Sequence, residues 1–351
     1  MIKPRRGVES MKAYVPGEQP QEAGWVKLNT NECPYPPSPK VLEAIKSAAN
    51  EKLRLYPDPI SSEFRNAIYK AFNVKFEQTT IGNGSDELID LIIRTFVNPD
   101  EQVLSCYPSY GMYPVSSKAC DVQYKEIELK EDFTFPIEKI VEAQAKLTFI
   151  CNPNSPTGTF LANKELRKLL SEIRGVVVVD EAYNDFAEES AVELVNEFDN
   201  LIVIRTLSKS ASLAGMRIGY AIGDKYLIDC INRIKPPYNL DRIAVSAGVA
   251  ALEDIDYIRA NSRRLIASRK FLTQELSKLS FKVYPSQANF ILVKCEQIPA
   301  KDLYLKLKDR KILIRYWDKP RLSDCVRITI GSEEENEKLI TAVKGILGGS
   351  K

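Results

Sequence analysis

Between about residue 79 and residue 222 the chain alternates short apolar runs, rich in β-branched residues, with segments of helical spacing. Few folds accept that pattern. Leu147-Thr-Phe-Ile-Cys151, Val176-Val-Val-Val179 and Leu201-Ile-Val-Ile204 have no polar face to give to water. Such runs belong to strands covered by helices on both sides. The expectation is an α/β chain whose large domain is a three-layer α/β/α sandwich around a mainly parallel sheet. Ligands of open α/β sheets lie at the carboxyl ends of the strands, so the residues just past these runs are the first site candidates.

Two strand ends stand out. Val176-Val-Val-Val179 runs straight into Asp180-Glu181-Ala182-Tyr183, and Leu201-Ile-Val-Ile204 leads to Thr206-Leu-Ser-Lys-Ser210. Small, polar and glycine residues surround Lys209, and Arg217 follows eight residues on, so this is not the solvated lysine of a charged helix face. A lysine whose surroundings lower its pKa can trap a carbonyl. Ser208, Ser210 and Arg217 are groups suited to a phosphate. Pyridoxal phosphate chemistry needs such a lysine, a carboxylate to keep the pyridine nitrogen protonated, and a phosphate cradle. All three residue types stand at strand ends.

A strand, a glycine turn and a helix follow one another in Thr79-Thr-Ile-Gly-Asn-Gly-Ser-Asp-Glu-Leu88, the geometry that aims backbone N–H groups and a helix dipole at a phosphate. The competing reading is a nicotinamide-binding turn. Gly82 and Gly84 supply its first two glycines, but Glu87 holds the place of the third.

With these residues in view, the chain resembles the fold-type I pyridoxal-phosphate enzymes of the aspartate aminotransferase superfamily, and within them the histidinol-phosphate aminotransferase family. The stretch KLNTNECPYPPSP (27–39) is similar to that family's KLNxNENPxGPSP, with Cys33 where asparagine is usual and Pro36 where glycine is common. GNGSDE (82–87) is similar to its phosphate loop, and CVRITIG (325–331) to its LRITIG strand. Asn152-Pro-Asn-Ser-Pro-Thr-Gly158 is similar to the NPNNPTG turn, with Ser155 where an asparagine contacts the cofactor's 3-oxygen; Asn154 and Asn152 are the candidates to replace it.

The resemblance implies roles residue by residue. Lys209 would be the Schiff-base lysine and base, Asp180 the partner of the ring nitrogen and Tyr183 a donor to the 3-oxygen. Tyr110 would stack on the ring, while Ser85, Asp86, Glu87, Ser208 and Arg217 would hold the phosphate, together with Tyr56 of the neighbouring subunit. Arg327 would bind the substrate's anionic group, with Asn31 and Tyr14 on the substrate side and Arg315 and Arg321 as further phosphate candidates. The implied reaction is transamination of histidinol phosphate with 2-oxoglutarate, giving imidazole-acetol phosphate and glutamate, in a homodimer with shared active sites. Relatives on the same scaffold act on aromatic amino acids or decarboxylate threonine phosphate, and a non-catalytic cofactor-binding regulator is the reading from another class. A regulator would be expected to lose the lysine or to gain a DNA-binding extension; neither is seen.

Composition narrows the chemistry further. The 351 residues include no histidine, which removes Ser-His-Asp and Cys-His triads, histidine metal sites and any histidine base. Lysine, tyrosine or a carboxylate must move protons here, and no metal is expected. Forty-nine basic against 47 acidic residues leave a formal charge of +2 without a basic block, so no nucleic-acid partner is expected. Seven scattered cysteines read as reduced core residues of a cytoplasmic protein. No signal peptide is read, and no apolar run reaches the roughly 18 to 20 residues of a membrane helix, so no membrane association is expected.

In chain order, residues 1–37 read as an arm, 38–250 as the large cofactor-binding domain and 251–351 as a small α+β domain. Ser38 followed by Pro39 predicts a helix start. Further helices are expected over 62–72, 163–174 and 255–279, and strands over 281–284, 289–294, 312–317 and 326–331.

Overall fold

A computed structural model describes residues 2–11 and 15–348. Its strands are β1 (Val26–Lys27), β2 (Thr79–Asn83), β3 (Gln102–Tyr107), β4 (Gln123–Glu128), β5 (Leu147–Cys151), β6 (Val176–Asp180), β7 (Leu201–Thr206) and β8 (Ile218–Gly223), followed by β9 (Lys282–Val283), β10 (Phe290–Lys294), β11 (Ile312–Leu313), β12 (Arg315–Tyr316) and β13 (Cys325–Thr329). Seven of them form one sheet in the order β2-β8-β7-β6-β5-β3-β4. Every strand of that sheet is parallel to the rest except β8, which runs antiparallel between β2 and β7.

The side-chain alternation of the central strands feeds two cores. Val177 and Val179 face one with Val203, whereas Val178 and Ile202 face the other with Leu147 and Phe149. Val177, Val178 and Val179 have no exposed surface, and each contributes roughly 1.5–3 kcal/mol of burial. Helices cover both faces, the parallel strands being joined by crossovers such as Asn163–Glu172 between β5 and β6. The expected three-layer sandwich is observed.

Ser38 does start a helix, Pro39–Ala48, its hydroxyl accepting from the Lys40 N–H at 3.2 Å. The long helix Ile255–Lys278 turns Ile258, Leu265, Leu272 and Leu276 inward and follows the expected span to within a residue. Among the described residues no helix is long and apolar enough to cross a membrane.

A four-stranded antiparallel sheet, β12-β13-β10-β9, stands over its own core of Leu265, Leu272, Phe290, Ile328 and Leu339. The run 312–317, expected as one strand, is broken. Ile312–Leu313 pairs in parallel with β1 of the amino-terminal arm, whereas Arg315–Tyr316 pairs with β13. Ile314 between them is buried, so the chain changes sheets at a residue anchored in the core. The arm is thereby stitched to the carboxyl-terminal part of the chain. We propose that the boundaries 1–37, 38–250 and 251–351 mark the arm and the two domains, the two sheets falling on either side of residue 250.

Candidate active site

The carboxyl ends of β6 and β7 and the amino end of the helix Gly84–Phe96 converge on a cavity of about 80 Å³, lined by Ser85, Asp86, Tyr110, Asp180, Tyr183 and Lys209 among others. It opens into an outer cavity of about 820 Å³, which shares Lys209, Tyr110, Tyr183 and Arg217 with it and adds Asn31, Arg315 and Arg327. The outer volume lies in the range typical of small-molecule sites.

Lys209 is half-buried in this floor. Its Nζ donates to the Thr30 carbonyl at 3.3 Å and lies 5.8 Å from the centre of the Tyr183 ring. Burial pushes the amine down to about 8, and the guanidiniums of Arg327 and Arg217 push the same way, against Glu32 and Asp86. A useful fraction of the amine is therefore neutral near physiological pH, as a carbonyl-trapping or proton-abstracting lysine requires.

Asp180 ends β6 with 2% of its surface exposed. Burial pushes its carboxyl up to about 6, while two hydrogen bonds hold the charged form. Tyr113 Oη donates to Oδ2 at 2.8 Å and the Ala182 N–H to Oδ1 at 3.0 Å. An ionised carboxylate in such a place favours a cation opposite it. Tyr113 has no exposed surface and is stacked on Phe149 at 4.6 Å. Sequence reasoning assigned it nothing, although it stands three residues after Tyr110, in the first turn of the helix Met112–Ala119.

The wall opposite is built for close approach. Gly84 has φ +77°, and a Cβ there would lie 2.6 Å from Arg217 Nη2. A Cβ on Gly219 would lie 2.5 Å from the Gly84 carbonyl carbon and 2.6 Å from the Ser85 nitrogen. Only glycines let β8 lie against the start of this helix. Arg217, itself at φ +52°, reaches Asp86 Oδ2 at 3.1 Å, while Tyr110 Oη donates to Asp86 Oδ1 at 2.8 Å. Backbone N–H groups at a helix start beside a guanidinium make an anion site. Ser208 is fixed by Thr206, whose Oγ1 donates to Ser208 Oγ at 2.9 Å and accepts from its N–H at 3.1 Å.

Tyr183 Oη accepts from Asn31 Nδ2 at 3.0 Å, and its phenol is raised by burial. Asn31 has φ +58°, and Thr329 holds it, accepting from the Asn31 N–H and donating to Oδ1, both at 3.0 Å. Arg327 is buried, not turned to solvent as a strand arginine often is. Its Nη2 donates to the Asn29 carbonyl at 2.6 Å and Nη1 to Ser155 Oγ at 3.3 Å, with Phe290 and Trp317 rings at 5.1 and 5.2 Å.

Other sequence candidates lie elsewhere. Glu87 lines neither cavity; its Oε2 accepts from the Asn83 N–H at 2.6 Å and from Asn239 Nδ2 at 2.7 Å, turned back along its own helix start. Asn154 is consumed by its own turn and by the loop after β3, donating to Thr157 Oγ1 and to the Pro108 carbonyl and accepting from Ser109. Arg321 donates to the carbonyls of Leu129 and Lys130 and lines neither cavity. Arg315 does line the outer cavity, with its guanidinium on the carbonyls of Val15 and Pro16 of the arm. Tyr56 is 80% exposed on a different face, stacked on Tyr238 at 4.7 Å. Tyr14 lies outside the described residues. The cavity also holds a group the sequence reading passed over, Glu32, whose carboxylate pairs with Lys27 and accepts from Thr30 Oγ1 at 2.7 Å.

Comparisons with known proteins identify the family. Residues 23–343 match the family model for aminotransferase class I and II. The histidinol-phosphate aminotransferase of Clostridium botulinum (strain Langeland) is 45% identical over 343 residues, 97% of each chain. A crystal structure of the histidinol-phosphate aminotransferase from Clostridium acetobutylicum superposes with TM-score 0.86 at 27% identity, covering 92% of this chain and 99% of its own. The Sinorhizobium meliloti enzyme of that name, solved in complex with pyridoxal-5'-phosphate, shares the fold with TM-score 0.92 at 24% identity, covering 100% of this chain and 99% of its own. The chain belongs to the aminotransferase class I and II family, and within it to the histidinol-phosphate aminotransferases.

Proposed function

We propose that this chain transaminates L-histidinol phosphate with 2-oxoglutarate, giving imidazole-acetol phosphate and glutamate in histidine biosynthesis, with pyridoxal phosphate as cofactor. The observation that carries the reading is a half-buried, pKa-lowered Lys209 sharing one cavity with a buried Asp180 and with the Gly84–Arg217 anion site. Those three features suit the aldehyde, the ring nitrogen and the phosphate of that cofactor in turn.

When bound, the cofactor supplies a protonated ring that spreads the negative charge left when a proton leaves the substrate carbon. The protein's part is positional and electrostatic. Asp180 would hold the ring nitrogen's proton, with Tyr113 holding Asp180. Ser85, the Asp86 N–H, Ser208 and Arg217 would hold the phosphate, and the Tyr183 and Ser155 hydroxyls would be available to the 3-oxygen. Lys209 Nζ takes the proton from the carbon bearing the donor's amino group. Tyr110 faces the same cavity and packs edge-on against Tyr113 at 5.6 Å. Arg327 receives the donor's phosphate in one half-reaction and the acceptor's carboxylate in the other, since a guanidinium fork fits both. Asn31 and Arg315 sit on the substrate side of the outer cavity. Arg315 would also hold the arm over the cavity mouth.

The working unit in this reading is a homodimer. Leu53, Leu55, Tyr56, Ile60 and Tyr238 leave an exposed apolar face, and Tyr56 would cross from it to the partner's phosphate site. The compartment in this reading is the cytoplasm.

The test is to mix cofactor-loaded protein, without acceptor, with histidinol phosphate, phenylalanine and threonine phosphate in turn and to follow the visible spectrum and products. Conversion at the lowest concentration by histidinol phosphate is expected. A preference for phenylalanine, release of carbon dioxide from threonine phosphate, or failure to take up the cofactor would overturn the reading.

A further inference from the structure

A second group of charges lies on the other side of the sheet from Asp180, and none of its members lines either cavity. Side chains alternate along a strand. Glu181 and Arg205 therefore point away from the cavity side, to the face that carries Val179 and Val203. Arg205 is 4% exposed. Its Nη2 meets Asp185 Oδ1 at 2.7 Å and Asn184 Oδ1 at 3.4 Å, its Nε lies 3.7 Å from Glu181 Oε2, and its guanidinium sits 4.8 Å over the Phe72 ring. Glu181 is fixed in turn by the Ser190 hydroxyl and by the Ala191 N–H at 2.6 Å. The remaining oxygen of Asp185 accepts from Ser210 Oγ.

Arg205 and Glu181 are buried, while the Asp185 side chain is 37% exposed; buried charge is a poor way to gain stability, because desolvation offsets much of the attraction. What this group does is geometric. Asp185 lies two residues past Tyr183 in the segment that starts with Asp180, and Ser210 is the residue next to Lys209. One guanidinium on β7 thus ties the segment after β6 to the segment after β7, from beneath.

We propose that the Arg205–Asp185–Ser210 chain is a positioning device for Lys209, holding the peptide at residue 210 so that the lysine side chain enters the cavity over Asp180 and Tyr183. The inference rests on the reading of Lys209 as the reactive amine. Released from Asp185, residue 210 turns more freely and the amine samples wetter positions. The desolvation that keeps it neutral weakens. None of the charged groups that face the amine, Arg327, Glu32, Asp86 and Arg217, is substituted in the variants, so a change is traceable to position.

The experiment uses the full-length chain as wild type, Ser210→Ala, Ser210→Thr and Asp185→Asn. Trace acetylation by acetic anhydride after cofactor removal is read lysine by lysine by peptide mass spectrometry across pH. In this reaction the neutral amine attacks a carbonyl carbon, acetate leaves and the amine loses a proton. In parallel, the pH midpoint of the visible absorbance of the cofactor-loaded proteins and their melting temperatures are recorded. Ser210→Ala is expected to lower Lys209 labelling near pH ~7.5 about two- to threefold relative to the other lysines, the loss of neutral amine that a half-unit rise in pKa gives. Its absorbance midpoint should move the same way, and Ser210→Thr, which keeps the hydroxyl, should restore both. Asp185→Asn gives the same reading should the alanine variant fail to fold. Variants that melt earlier yet superimpose on wild type in labelling and absorbance would overturn the proposal and leave the reading of Lys209 standing. A wild-type Lys209 that labels no faster than a surface lysine would overturn that reading itself.

Discussion

Replacing Tyr113 by phenylalanine removes one oxygen atom and keeps the ring that stacks on Phe149. The oxygen lost is the donor 2.8 Å from Asp180 Oδ2. A buried hydrogen bond to a charged group is worth about 1.5–3 kcal/mol, which at 1.36 kcal/mol per unit is one to two units of pKa. The Asp180 carboxyl, already pushed up to about 6 in the folded chain, would then ionise near pH 7–8, taking those same one to two units. The sign follows from proton counting. Below the unfolded value of about 3.9 both states hold the proton; above it only the native state does, so stability falls with rising pH until the native carboxyl ionises. In the wild type that fall ends near pH 6, and in Tyr113→Phe it continues for one to two units more. The stability gap between the two proteins should therefore be small near pH ~5 and grow to about 1.5–3 kcal/mol by pH ~8.5. Urea unfolding of the cofactor-free proteins at the two pH values measures it. An equal gap at both would refute the claim that Tyr113 stabilises the charged form of Asp180.

Lys209→Met should abolish turnover yet stabilise the cofactor-free chain by up to about 3 kcal/mol, since burying an amine with pKa about 8 in place of its usual 10.5 costs that much. The gain should be complete below pH 8 and shrink as pH rises toward 10.5, where the unfolded lysine also loses its proton; a gain independent of pH, seen by thermal melts, would contradict it. Arg327→Lys keeps the charge but not the fork. It should raise KM for both histidinol phosphate and 2-oxoglutarate about tenfold to a hundredfold, the worth of about 1.5–3 kcal/mol in charged hydrogen bonds, while the absorbance of the loaded protein stays unchanged. If Tyr56 serves the neighbouring subunit, mixing inactive Lys209→Ala with impaired Tyr56→Phe chains should yield heterodimers with one intact site, and activity above the sum of the parents; no recovery on subunit exchange would contradict the shared site.

The strand ends carrying Asp180 and Lys209 were legible because a strand's direction and its last residue leave little choice about what stands at the sheet's edge. The glycine turn was legible for a similar reason, Gly82 and Gly84 being where a Cβ has no room. Side-chain direction in turns was not. Glu87 and Asn154 sit in stretches that read as cofactor loops, yet Glu87 is spent on the Asn83 N–H of its own turn and Asn154 on the Pro108 carbonyl of the loop after β3, choices decided by packing geometry that residue type does not encode. Arg321 is drawn off in the same manner by two carbonyls far along the chain. Tyr113 was missed because its partner is distant in sequence and its ring alone explains its burial. The split of 312–317 between two sheets was hidden because the run reads as one strand of β-branched, leucine and aromatic residues around Arg315, and only the pairing of β1 with β11 separates its halves.

The claim on which the rest depends is that Lys209 is the lysine that takes the cofactor. Loading the full-length chain with pyridoxal phosphate, fixing it with borohydride and mapping the modified peptide tests this directly. The label is expected on Lys209 alone, with native chain giving up its label when histidinol phosphate is added before the reductant. A label on another lysine, or spread over the surface lysines, would contradict it.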